Sequence, residues 1–316
     1  MEQDSARFRI LYSTKDAGVV RDLWRVLRER VPVIEQNLGL ALGDTVRFII
    51  APDQMEWGRL TQGTPLWANG VAYSERGIAI LKSPSFGQQY GPFPTTATHE
   101  YVHLLLHAGA PRAEIPRWLD EGLAQVLSGQ FDYVESAALA RAAAANRLHS
   151  FRQLESMLAM SGLEARQGYA ESAVAVQLLQ LRYGMSGLSN LVHELRTGQD
   201  YDEAFARIFG VSSGSFENQY VAYIKSTYRL SLIGDTELWL SGLFVLLVLA
   251  AGTAMWYRRR RTLAKWKDEE MGTHGGPRET WPPYIVNYTI IRSRQGEEED
   301  TSQGKPTEAS DQPPGD

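Results

Sequence analysis

The sequence predicts an α+β fold in which a small N-terminal mixed sheet is followed by a helical half, then by one transmembrane helix and a disordered tail. Three observations carry this reading. Short β-branched and aromatic runs are confined to the region before Pro94, helical apolar spacing dominates after it, and an uncharged run of about twenty residues begins at Leu238. At 316 residues and 43% hydrophobic content, the chain can fill a core of domain size.

Residues 8–13 (FRILYS) and 45–51 (TVRFIIA) read as strands, and between them residues 16–38 place Val20, Leu23, Val26 and Leu27 at helical spacing. Residues 70–73 (GVAY) and 77–81 (GIAIL) read as a hairpin turned by Ser74, Glu75 and Arg76. Residues 77–81 are the expected sheet edge, where an extended peptide adds a strand through main-chain hydrogen bonds. Helices are predicted over residues 95–108, 116–127, 135–148, 169–183, 188–195, 201–209 and 215–228, separated by Gly-bearing breaks.

Residues 238–257 (LWLSGLFVLLVLAAGTAMWY) hold no charge, and at about 1.5 Å per residue they match a hydrocarbon core of about 30 Å. Trp239, Trp256 and Tyr257 stand at the two ends, Asp235 and Glu237 precede the run, and Arg258 to Arg261 follow it at once. The positive-inside rule then makes residues 1–233 an extracytoplasmic domain and residues 258–316 a cytoplasmic tail on a single-pass protein of the cell membrane. The opening MEQDSARFRI has acidic residues where a basic n-region belongs and no apolar h-region, so this topology implies an export signal that the sequence does not contain. The alternative is a domain that stays in the cytoplasm. The tail runs from basic to acidic, ending in a stretch rich in Pro, Gly, Ser and Thr that buries too little to order itself. Within it, residues 281–291 (WPPYIVNYTII) form the segment suited to a cytoplasmic partner or to the membrane.

A net charge of −5 argues against a nucleic-acid partner, because there is no excess of Lys or Arg to neutralise a phosphate track. With no Cys, a transition metal must be held by His, Asp or Glu, and there are six His. His99, Glu100 and His103 form H-E-x-x-H in the helix over residues 95–108. Four residues apart on a helix, the two imidazoles share a face and reach one ion, while Glu100 stands beside them to exchange a proton with an attacking water. Catalytic zinc usually takes a third protein ligand, and Glu121 on the next helix is the candidate. His107, one turn beyond His103, is too far along a straight helix to join the same ion and suits a surface or supporting role; His149 and His193 read as structural.

The stretch P-R-W-L-D-E-G-L-A at residues 116–124, together with H-E-x-x-H, resembles the peptidase-MA-like gluzincins. That resemblance implies Glu121 as the third zinc ligand, one Zn2+ per chain, a peptide or protein substrate, and hydrolysis with Glu100 as general base and acid. G-Y-A-E-S-A at residues 168–173, with Tyr183-Gly184 after it, resembles the segment beginning a later helix in the same proteins. Tyr169 is therefore the candidate oxyanion donor, a packing or capping role being its alternative. The G-x-M-E-N sequence of gluzincin aminopeptidases is absent, which leaves exopeptidase activity unsupported. A reading from another class remains beside the enzyme: an inactive envelope binding or scaffold module with a structural or vestigial zinc site.

Overall fold

The apolar spacing after Asp16 closes one face of a long helix, and Val20, Leu23, Leu27, Val31, Ile34 and Leu38 are all buried on it. This comes from a computed structural model of the protein, which describes residues 1–86, 92–108, 114–131, 133–228 and 236–272. The elements in order are β1 (Glu2–Asp4), β2 (Phe8–Leu11), α1 (Ala17–Leu38), β3 (Val46–Ala51), α2 (Gln54–Leu60), β4 (Gly70–Tyr73) and β5 (Ile78–Lys82). The helical half follows as α3 (Phe93–His107), α4 (Arg117–Ser128), α5 (Tyr133–Ala144), α6 (Phe151–Leu154), α7 (Gly162–Arg196), α8 (Tyr201–Phe209) and α9 (Ser213–Thr227). Last comes α10 (Thr236–Gly272). The protein is α+β, as its sequence predicts.

The sheet is mixed, in the order β1-β2-β3-β5-β4, with β2, β3 and β5 parallel and the two outer strands antiparallel to their neighbours. The strand at residues 77–81 is therefore not the edge. β5 lies between β3 and β4, which pairs both of its sides, and the free side belongs to β4. The turn between β4 and β5 is a 3-10 turn over Ser74–Arg76, closed by Gly77 in the left-handed region (φ 59°). Ser74 Oγ donates to the carbonyl of His103 at 3.3 Å, which ties this hairpin to α3.

α3 is buried on nearly every side, including Tyr101, Val102, Leu104, Leu105 and Leu106 at 0% exposure. Its C-terminal carbonyls are held by α7: Arg196 donates to Leu105 (2.6 Å), Leu106 (3.2 Å) and Ala108 (2.9 Å), a cation placed where helix carbonyls lack partners. α4 starts where the Glu155 carboxylate accepts from the Arg117 N–H at 3.0 Å, and Trp118 stacks on Phe151 with ring centroids 4.2 Å apart. α4 then lies close along α7. A Cβ at Gly122 would stand 2.5 Å from Val176 Cγ2 and 2.9 Å from the backbone carbon of Ser172, so only glycine allows that approach.

α7 starts earlier than the expected residue 169, at a capping box in which Ser161 and Glu164 exchange hydrogen bonds. Tyr169 consequently sits two turns inside the helix. The expected break near residue 184 is a sharp kink at Gly184 (φ 72°, ψ 175°) within one continuous run. α10 is, among the described residues, one helix long and apolar enough to cross a membrane, over Leu240–Lys267. Arg260 stacks over Trp256 (4.2 Å) and Arg261 over Tyr257 (4.8 Å), joining the arginine cluster to the aromatic pair at the end of the apolar run. The chain divides into two units within this helix, after Leu247. Residues 281–291 lie outside the described residues.

Because the close approach at Gly122 sets the α4–α7 spacing, Gly122→Ala is expected to lower unfolding stability by about 1–3 kcal/mol, measured by denaturant titration of the detergent-solubilised chain.

Candidate metal centre

His99 and His103 stand on successive turns of α3, and Glu121 is five positions into α4. The packing of these two helices brings three ligand atoms together: His99 Nε2 and His103 Nε2 are 3.1 Å apart, and Glu121 Oε2 lies 3.3 and 3.4 Å from them. Donor atoms on a tetrahedral zinc ion with bonds of about 2.0–2.1 Å stand about 3.3–3.4 Å from one another, so the triangle has the dimensions of one face of such a site. Its chemistry agrees. Glu121 Oε2 is buried without a hydrogen bond although two ring nitrogens face it, the condition of an acceptor that a cation would satisfy. His103 Nδ1 is 2.8 Å from Asp120 Oδ1, an acceptor for a proton on Nδ1, which leaves Nε2 as the nitrogen facing the triangle.

Glu100 is buried beside the triangle, on the wall of a cleft of about 640 Å³ that also reaches His99, His103, Glu121, Tyr73 and Tyr169. Across from it stands Gly70, the first residue of β4. A Cβ there would lie 2.7 Å from the Cδ and the Cγ of Glu100, so the carboxylate occupies the space that a side chain at position 70 would need. Tyr169 meets the His99 ring edge to face at 6.3 Å and Trp67 at 6.1 Å, which puts its phenol on the cleft wall. All five predicted site residues thus converge on one cleft.

A sequence profile of the peptidase MA superfamily matches residues 63–226. The chain belongs to the peptidase MA superfamily. No match is found among curated proteins. The superfamily match takes in β4, β5 and α3 to α9, and so contains every residue of the centre.

In this peptidase MA domain the electrostatics follow from burial. Loss of solvent raises the Glu100 carboxyl, and His99 and His103 only partly offset it. For His103, burial disfavours the charged ring, yet Asp120 and Glu121 outweigh it and hold the imidazole well above its ordinary value. Burial likewise works to raise Asp120 and Glu121, but His103 outweighs it and keeps both carboxyls below the usual range. Burial, with Glu121 and Glu100 nearby, lifts the Tyr169 phenol well above its ordinary value.

Three residues at the centre escape a reading of the sequence. Asp120 bridges His103 to His107, whose Nε2 is 3.0 Å from Oδ2, so His107 supports the site without reaching it. Arg117 Nη1 stands 3.4 Å from Glu121 Oε1 and fixes the second carboxylate oxygen. Gly70 is recognisable only once β4 is placed against α3. Asp120 did leave a signal, since it neighbours Glu121 in the D-E-G-L-A stretch. His149 is structural, as expected: it pairs with the buried Glu171 at 3.1 Å, and that hydrogen bond raises its pKa. His193 is exposed on α7.

If Asp120 orients His103, Asp120→Ala will weaken zinc affinity about 10–100-fold, read by competition with a chromophoric chelator, while His107→Ala will change it less.

Proposed function

We propose that this peptidase MA protein is a membrane-anchored, zinc-dependent metallopeptidase. One observation carries the reading: three ligand atoms form a triangle that opens on a cleft, with the Glu100 carboxylate beside it. Structural zinc sites are closed by four protein ligands, whereas catalytic ones use three and keep a position open. The set His99, His103 and Glu121 fits the second pattern.

Zinc held by these three residues supplies Lewis acidity toward a carbonyl oxygen and lowers the pKa of water toward about 7. The protein groups divide the remaining work. Glu100 accepts a proton from the attacking water and delivers it to the nitrogen of the departing amine as the C–N bond breaks. Gly70 leaves room for that carboxylate, and Asp120 fixes the ring of His103. Tyr169, whose phenol keeps its proton at neutral pH, donates a hydrogen bond to the developing oxyanion. The free side of β4 offers main-chain groups along which an extended peptide can pair.

The same proposal assigns residues 1–233 to the peptidase domain, residues 238–257 to the membrane span and residues 258–316 to a cytoplasmic tail. The arginines at 258–261 support an extracytoplasmic centre in the cell membrane. A tail partner in the cytoplasm belongs to this topology.

Glu100→Gln is expected to retain about one zinc per chain by elemental analysis and to lose peptide hydrolysis by about 10²–10⁴-fold. Equal hydrolysis by the two proteins would defeat the mechanism. His99→Ala and Glu121→Ala should lose the zinc itself. Gly70→Ala should bind zinc normally yet lower kcat by at least about tenfold, because displacing the proton acceptor removes an interaction made in the transition state.

A further inference from the structure

Behind the centre, on the side away from His103, the cleft narrows into a pocket of about 100 Å³ that shares Glu100 and His99 with the catalytic wall. Its volume admits several waters, hence one side chain of modest size. Because Glu100 lines its mouth, whatever enters belongs to a residue flanking the scissile bond. Aromatic faces of Trp67 and Tyr169 form one wall, and their edge-to-face contact keeps that wall in place.

The floor is polar. Gln125, on α4 one turn after Glu121, is 6% exposed, and its Oε1 is buried with no hydrogen-bond partner among the described residues. A buried acceptor without a donor is costly unless something that enters the pocket supplies one. Nearby, Gln130 Nε2 makes a long bond of 3.4 Å to Thr96 Oγ1, and Asn69 and Arg166 complete the polar lining.

We propose that this pocket selects substrates bearing a carboxamide side chain, Gln or Asn, next to the scissile bond. The proposal deepens the metallopeptidase reading and depends on it. Three competing classes each fail on a named group. An aliphatic side chain leaves Gln125 Oε1 unsatisfied. A carboxylate brings acceptors only, and brings them beside Glu100. An ammonium or guanidinium would satisfy Oε1 but brings donors only, with no acceptor for the Gln130 Nε2 side. A carboxamide supplies both halves: its NH₂ donates to Gln125 Oε1, and its carbonyl accepts from Gln130 Nε2, whose own bond to Thr96 is long. Sites built to hydrogen-bond a substrate group reject analogues lacking it far more strongly than apolar pockets reject a change of size.

The test uses the zinc-loaded full-length protein in detergent and a fluorescence-quenched peptide library with one position fixed at a time. Wild type should favour Gln or Asn over Leu, Glu and Lys by about tenfold or more in kcat/KM at one position beside the cleaved bond. Gln125→Met, which keeps length and volume, should lose that preference by about tenfold and gain on Met or Leu peptides, with zinc content and thermal midpoint unchanged. Should Gln125→Met fail to fold, Gln130→Met at the less buried rim is read in its place, with a smaller loss of carboxamide preference expected. Preference for another class in wild type, or an unaltered carboxamide preference in the folded variant, overturns the proposal while Glu100→Gln stays inactive. Equal activity of wild type and Glu100→Gln overturns the metallopeptidase reading instead.

Discussion

Five ionisable side chains, His99, Glu100, His103, Asp120 and Glu121, share one buried volume, and the rest of the domain is organised around making that tolerable. Three carboxyl groups against two imidazoles leave the cluster short of positive charge, and moving charge out of water costs several kcal/mol per ion unless partners are close and well aligned. Partners this close need a rigid frame. The glycine contact seats α4 on α7, the Trp118–Phe151 stack joins α4 to α6, and Arg196 of α7 clamps the end of α3, so the two helices that carry the cluster are both held by α7. Arg117 at the rim adds a positive charge to the carboxylates.

Much of this was legible in the sequence where local chemistry alone decides structure. The apolar period of α1 and the β-branched runs of β2 and β3 correspond to the described elements, and H-E-x-x-H with D-E-G-L-A identifies both helices of the centre. What escaped was decided by long-range pairing. β1 is three polar residues, Glu2 to Asp4, that become a strand only because β2 offers them a free side. β4 rather than β5 forms the edge because β5 pairs with β3, a choice that no local pattern encodes. The start of α7 was encoded locally, in Ser161 and Glu164, but the resemblance of residues 168–173 to a helix-opening segment drew the expected boundary inward.

The centre is also asymmetric. One side opens broadly past His103 toward Arg117 and Glu155, while the other narrows between Trp67, Tyr169 and α4. On the proposed function, a peptide lying across the cleft would meet an open half and a narrow half. The boundary between them is the Glu100 carboxylate.

That carboxylate has its place because position 70 carries no side chain. On the proposed chemistry, the consequence reaches beyond this molecule. In other chains of this build, a residue larger than glycine at the position equivalent to 70 would crowd the proton acceptor without altering the identity of any zinc ligand. A single letter, some thirty positions before the histidines, would then distinguish working hydrolases from descendants that kept the architecture and retired the reaction.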